Sequence, residues 1–391
     1  MDVIGRLPGT DRTVRLTIEQ GTITDLVDLD TTSDVWICPG FVDIQNNGYA
    51  GHDVRAADVD AHAIHEFVAA LWAHGITAVC PTVTTGPEER MVASLRAISA
   101  ARKADPLVAR AIPCAHVEGP YLSADDGPRG AHDSRFLRTP DVAEFERWQR
   151  ASDSVVGIVT LAPELPGSTR YIETLSGRGV VVAIGHTNAT PDDVRRAVDA
   201  GAKLSTHLGN GAHAQLARHP NYIWEQLAED RLMASFIADG HHLPASTLIA
   251  MLRAKGSSRS ILVSDSVAIA GKPPGHYVGP TGLPVDLTED GRLALSGTTL
   301  LAGAVRNLRE CLAWAVYGAG VSFAQAVAMA SINPARLLSS DVSRKPVGPG
   351  EAADLTLVHM QPARAAVDVI ATIVDGVVVH ETSNAPIGRR L

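Results

Sequence analysis

The chain has 391 residues, 45% of them hydrophobic and 20% charged, and 34 basic against 43 acidic side chains leave a formal charge of −9. That composition supplies a sizeable core and excludes a globally disordered chain. A mildly acidic chain without a basic block is a poor partner for nucleic acid or an anionic membrane surface, although a local Arg or His still suits a small anion.

The first residues hold no apolar stretch of signal-peptide length. No apolar run approaches the roughly 20 residues of a spanning helix. The expectation is a soluble cytoplasmic protein. VRLTIEQGTITDLVDLD alternates as short strands with a turn at Gly21. The far end does the same in ADLTLVHM and VDVIATIVDGVVVH, where Asp375-Gly376 is a hairpin signal. Two β-rich ends around a different middle predict one small β-domain built from both termini.

Between Val35 and Ala330, eight apolar runs alternate with helical patterns: VWICPGFVDI, ITAVCPTV, ARAIPCAHV, VVGIVTLA, VVVAIGH, AKLSTH, LMASFIAD and SILVSD. Helical patterns such as EERMVASLRAISAARKA and PDDVRRAVDAG lie between them, and many of these segments open on Ser, Thr, Asp or Pro and close at Gly, as helix ends do. Eight β-then-α units predict an α/β fold of the (β/α)8 TIM-barrel type, with an open doubly wound sheet as the local-pattern alternative. The division expected is residues 39–340 as the barrel, and 1–38 with 341–391 as a small β-sandwich. The four cysteines form no CxxC pair and lie in apolar runs, which predicts buried, reduced thiols.

Barrel active sites form where strands end. Run 3 ends at Glu118, run 5 at His186, run 6 at His207 and run 8 at Asp265. One carboxylate and two imidazoles with an open position suit a catalytic zinc ion. A single strand-end histidine is more often structural, and it is the joint placement that points to a metal. Asp265 then has the position of a base for metal-assisted hydrolysis, or else of a helix N-cap.

The ordered set PGFVDIQNNG, HVEGPYL, TLAPE, GHTNAT, THLGN, IADGHHL, SDS, LSGTTL and GAVRNL resembles the N-acetylglucosamine-6-phosphate deacetylases of the amidohydrolase superfamily, from about Pro39 to the C-terminal β segment. The resemblance implies metal ligands at Glu118, His186 and His207, and an acid/base at Asp265. His132 is implied to polarise the acetyl carbonyl, and His242 to line the sugar-phosphate pocket. Asn210 and Gly211 fall where the family meets the phosphate, and Arg218 where an arginine reaches in from the partner of a homodimer. Many superfamily members carry HxH in the first run. Here Gln45 and Asn47 stand there, and neutral amides are poor ligands for a transition metal. One divalent metal per subunit follows, zinc by ligand type, with iron, manganese and cobalt able to use the same set. Gln45 and Asn47 are left to hydrogen-bond near the water or to pack.

The segment after His207, LGNGAHAQLARHPN, departs from the family pattern, the loop 122–131 is slightly longer, and run 8 reads SDS. The metal set and the base are retained, and the resemblance implies hydrolysis of N-acetylglucosamine 6-phosphate to glucosamine 6-phosphate and acetate, while the loops that choose the sugar are the ones that differ. The alternatives are N-acetylgalactosamine 6-phosphate or an unphosphorylated N-acyl compound as substrate, and, in another class, a sugar-binding barrel without catalysis.

Overall fold

The computed structural model describes residues 1–10, 12–279, 282–338 and 346–388. Its centre is a ring of eight parallel strands: β1 (Phe41–Asn46), β2 (Ile76–Thr84), β3 (Ala115–Glu118), β4 (Val156–Leu161), β5 (Val181–Ile184), β6 (Leu204–Ser205), β7 (Met233–Ile237) and β8 (Ser260–Val263). Each pairs with the next in chain order. No ladder between described residues joins β8 back to β1. The ring closes instead through Asp265 N donating to Gln45 O at 2.9 Å and Asn47 N to Ser266 O at 2.8 Å.

All eight apolar runs hold a barrel strand, because each is short, bounded by turns and buried on both faces, as parallel strands are. Val42, Ile44, Ala78, Cys80, Ile158, Ala183, Ile237 and Ile261 fill the inside. The helices pack outside through residues at helical spacing. In the helix Pro191–Asp199, Val194, Ala197 and Val198 are the buried positions. Its start is fixed by a capping box between Thr190 and Asp193. Asp60 and Asp141 are simple N-caps of the helices Ala61–Trp72 and Val142–Ala151, accepting from Ala63 N and Ala143 N.

The two ends of the chain build a second, mostly antiparallel eight-stranded sheet. Its order is Val377–Glu381, Ala366–Val374, Leu355–Gln361, Val35–Pro39, Asp2–Arg6, Thr13–Glu19 and Thr22–Leu29, with Ile387–Gly388 against Asp2–Arg6. It has a core of its own, including Val14, Leu16, Ile37, Leu355 and Ile373. Both predicted turns form with two residues at positive φ, Gln20-Gly21 and Asp375-Gly376, as tight hairpins of this hand require. The expected boundary between Ser340 and Asp341 lies outside the described residues.

The first apolar run is not one strand. It breaks at Gly40, with Val35–Pro39 in the terminal sheet and Phe41–Asn46 in the barrel. A Cβ at Gly40 would lie 2.1 Å from Thr77 Oγ1, so only glycine allows this crossing. After β8 the chain adds a small antiparallel meander, Gly275–Val278, Pro284–Leu287 and Leu293–Leu295, before the helix Leu308–Tyr317. No helix among the described residues is long and apolar enough to cross a membrane. All four cysteines are free thiols; three are buried and Cys114 is partly exposed.

Candidate metal centre

Glu118 ends β3, and His186 and His207 follow β5 and β6 by two residues. Their side chains meet at the C-terminal mouth of the barrel. His186 Nε2 lies 3.3 Å and His207 Nε2 3.0 Å from Glu118 Oε1, and the two imidazole nitrogens are 3.1 Å apart. All three residues are buried. Two ligands about 2.05 Å from a tetrahedral ion stand about 3.3 Å apart, so these separations fit one divalent cation. Among the described residues this is the one such group of three.

His186 Nδ1 is 2.8 Å from Pro128 O. A carbonyl only accepts, so the proton sits on Nδ1 and the Nε2 lone pair faces Glu118. The Gly211 backbone presses on the same ring: a Cβ there would lie 2.6 Å from His186 Nδ1. His207 Nδ1 has no hydrogen-bond partner.

Burial would raise the Glu118 carboxyl, but the hydrogen bonds and charge of His186 and His207 hold it well below the usual carboxylate range. His207 is raised, the Glu118 contact outweighing burial.

The first strand supplies amides where two more ligands could stand. Gln45 Nε2 donates to Glu118 Oε1 at 2.7 Å, and Asn47 Nδ2 donates to Asp265 Oδ1 at 2.8 Å. Asp265 therefore sits beside the cluster. Burial and then the Glu118 charge push its pKa up to about 6. It caps no helix; the chain runs on into the meander.

His186, His207 and Asp265 all adopt left-handed backbone, with φ of 52°, 29° and 47°. Such residues carry strain of order 1 kcal/mol each and gather at functional sites.

His132 comes over the mouth from the loop after β3. Its ring centroid is 4.4 Å from that of His186, its Nε2 is 3.8 Å from Glu118 Oε2, and its Nδ1 is 2.8 Å from Thr85 Oγ1. Burial, then the charge of His186, brings its pKa down to about 3, so it is neutral at ordinary pH.

The outer candidates are less gathered. His242 Nδ1 is 2.7 Å from Asp239 Oδ2, whereas His241 turns to the Asp290 carbonyl. Asn210 stays near His207, its Nδ2 3.3 Å from the His207 carbonyl. Arg218 is exposed and forms no ion pair with a described residue of its own chain. Exposed Leu216 and Trp224 flank it.

The amidohydrolase family profile matches residues 36–379. A *Danio rerio* N-acetylglucosamine-6-phosphate deacetylase is 32% identical over 334 residues, covering 82% of this chain and 79% of its own. The chain belongs to the N-acetylglucosamine-6-phosphate deacetylase family of amidohydrolases. An *Escherichia coli* O157:H7 relative in this family, 33% identical over 330 residues and 82% of each chain, is an N-acetylgalactosamine-6-phosphate deacetylase.

Two solved structures share the deacetylase fold. The *Thermotoga maritima* enzyme has a TM-score of 0.85 at 26% identity, covering 98% of this chain and 100% of its own. The *Mycobacterium smegmatis* enzyme, an aspartate-to-alanine mutant with N-acetyl-D-glucosamine-6-phosphate, has 0.84 at 27%, covering 97% and 99%. Family membership and the Glu118/His186/His207 geometry together indicate a divalent metal.

Residues given no role in the motif reading also shape the site. Pro128 and Thr85 orient His186 and His132. His116, one turn of the pleat below Glu118, spans the barrel interior from Ile44 O to Thr160 Oγ1. The two-residue spacing of His116 and Glu118 was the available clue, since both then share one face of β3.

Proposed function

We propose that the chain is a metal-dependent deacetylase that hydrolyses N-acetylglucosamine 6-phosphate to glucosamine 6-phosphate and acetate. It acts in the cytoplasm as a homodimer with one divalent metal, zinc, per subunit. The observation that carries this reading is the convergence of Glu118, His186 and His207 on one point, with Asp265 and His132 beside it. Two imidazoles and a carboxylate would hold the ion, which supplies Lewis acidity towards the acetyl carbonyl and lowers the pKa of water.

The chain's own groups then manage protons and orientation. Asp265 accepts a proton from the water whose oxygen bonds to the acetyl carbon. It returns that proton to the amide nitrogen as the C–N bond breaks, which releases a neutral amine rather than an amide anion. Asn47 keeps the Asp265 carboxylate turned to the site. The 2.8 Å contact of His132 Nδ1 with Thr85 Oγ1 fixes the ring with Nε2 facing the cluster, and in the tautomer protonated there His132 donates a hydrogen bond to the carbonyl oxygen as charge develops on it. Gln45 occupies the side of Glu118 where a second cation would bind.

Asn210, Gly211 and His242 take the phosphate, with Arg218 contributed across the dimer. The exposed Arg218 between Leu216 and Trp224 supports that arrangement.

The test is acetate release from N-acetylglucosamine 6-phosphate, with the galactose-configured and unphosphorylated sugars alongside. Turnover of the first, abolished by chelation and restored by metal, is expected. Preference for N-acetylgalactosamine 6-phosphate would move the substrate to the second reading, which the 33%-identical relative of that name favours. No turnover of any of them by metal-loaded protein would overturn the deacetylase reading.

A further inference from the structure

Among the described residues no β-ladder joins β1 and β8, and what stands there is a polar seam around one buried carboxylate, Asp43, which is 0% exposed. Asp43 Oδ2 accepts from Ser264 Oγ at 2.6 Å and Asn46 Nδ2 at 3.2 Å, and its Oδ1 accepts from Ser264 N at 3.2 Å. Ser264 Oγ in turn accepts from Ser266 N at 3.2 Å, and Ser266 Oγ donates to Gly48 O at 3.1 Å. Asp265 lies between these two serines, with its backbone left-handed at φ 47° and its N–H on Gln45 O.

The same seam fixes the other side of the site. Asn46 turns its side chain to Asp43 and Ser264, while its neighbours Gln45 and Asn47 reach Glu118 and Asp265. One tripeptide therefore ties the closing seam to a metal-ligand candidate and to the proposed acid/base.

We infer that Asp43 is a positioning residue for the hydrolysis, acting through Ser264 to hold Asp265 in its strained backbone conformation and through Asn46 to aim Gln45 and Asn47. This rests on the deacetylase reading above. A carboxylate is the group that fits, because every neighbour it meets is a donor. An asparagine of the same size must turn an NH2 either to Ser264 N and Gln45 N, which donate to Oδ1, or to Ser264 Oγ and Asn46 Nδ2, which donate to Oδ2. The fold then loses no volume, but the seam loses one of its two acceptor oxygens and sets donor against donor there. Displacement of a reacting group by about 1 Å is enough for a rate loss of about 100-fold.

The experiment compares the metal-loaded wild type with Asp43→Asn, Ser264→Ala and Ser264→Thr. It measures kcat, KM, bound metal, melting temperature and amide hydrogen exchange at Asp265. Expected for Asp43→Asn and Ser264→Ala is a fall in kcat of about 10- to 100-fold. KM and metal content stay near wild type, and exchange at the Asp265 amide speeds up selectively. Ser264→Thr, which keeps the hydroxyl, restores both. If Asp43→Asn does not fold, Ser264→Ala decides. Wild-type kcat with an unchanged Asp265 amide in either folded variant overturns the inference, as does a loss confined to melting temperature. A wild type that turns over no N-acetyl amino-sugar phosphate sinks the deacetylase reading instead, and the exchange data still judge the seam.

Discussion

Gly211→Ala tests the metal centre from outside its ligand set. The methyl group would stand 2.6 Å from His186 Nδ1 and 2.8 Å from its Cε1, about 0.8 Å short of ordinary contact at 3.4 Å. The imidazole must swing by that order, which breaks its 2.8 Å link to Pro128 O and moves Nε2 off the shared point. Loss of such an orienting contact costs about 10- to 100-fold in metal affinity, or about 1.4–2.8 kcal/mol.

The alanine also pays backbone strain, since Gly211 has φ +55°. Gly130→Ala is the matched control. Its φ is +56° and it faces the same ring, but its Cβ would stand 3.3 Å from His186 Cε1, nearly an ordinary contact. Both variants lose about 1–2 kcal/mol of stability from left-handed backbone, and only Gly211→Ala loses metal affinity. Competition against a chelator of known affinity, with melting curves of the metal-free proteins, separates the two effects. Wild-type metal affinity in Gly211→Ala, or equal losses in both variants, would refute the argument that His186 is held in place by this glycine.

Asp265→Asn keeps the metal and lowers kcat by about 10²–10⁴-fold, the usual worth of a proton-transfer group, read from acetate release with metal content measured in parallel. Because Asp265 titrates near 6, its carboxylate predominates above that pH and is lost below it. kcat/KM should therefore fall on the acid side, with a bound cation drawing the limb lower; a rate that rises from pH 7 to pH 5 contradicts the base assignment. Glu118→Gln should reduce bound metal in elemental analysis, since a neutral amide replaces the one anionic ligand. Arg218→Ala should raise KM for the phosphorylated sugar by about tenfold or more and leave the unphosphorylated sugar unchanged; equal effects on both would remove Arg218 from phosphate binding.

The barrel was legible because its signals are local: a run such as ITAVCPTV is buried along nearly its whole length in β2, and EERMVASLRAISAARKA is the helix Glu88–Ala104 residue for residue. Strand ends then pointed to Glu118, His186, His207 and Asp265, which do gather at the mouth of the barrel. What escaped was non-local or weakly patterned. The break at Gly40 depends on Thr77, which is distant in sequence. The meander strands Gly275–Val278, Pro284–Leu287 and Leu293–Leu295 are only three or four residues each, too short for their alternation to stand out in the sequence. Asp43 looks like one more strand residue until Ser264 is brought against it. Gln45 and Asn47 were singled out, but which partner each amide takes depends on where β3 and β8 end.

The strand Val35–Pro39 also sets an order for synthesis. Apart from one bridge of Trp36 to Arg6, its partner is Leu355–Gln361, in register from Pro39 against Leu355 to Val35 against His359. At about 5–20 residues per second, that partner leaves the ribosome roughly 15–60 s after the strand does. The barrel strand only one glycine away meets its own neighbour, Ile76–Thr84, within a few seconds. A nascent chain thus carries an unpaired apolar edge, Val-Trp-Ile-Cys, for most of its synthesis, at first beside a growing barrel and, once Ser260–Val263 has emerged, beside one with all eight strands. That edge is the segment open to wrong pairing during this interval, and it is where a holdase chaperone has most to do.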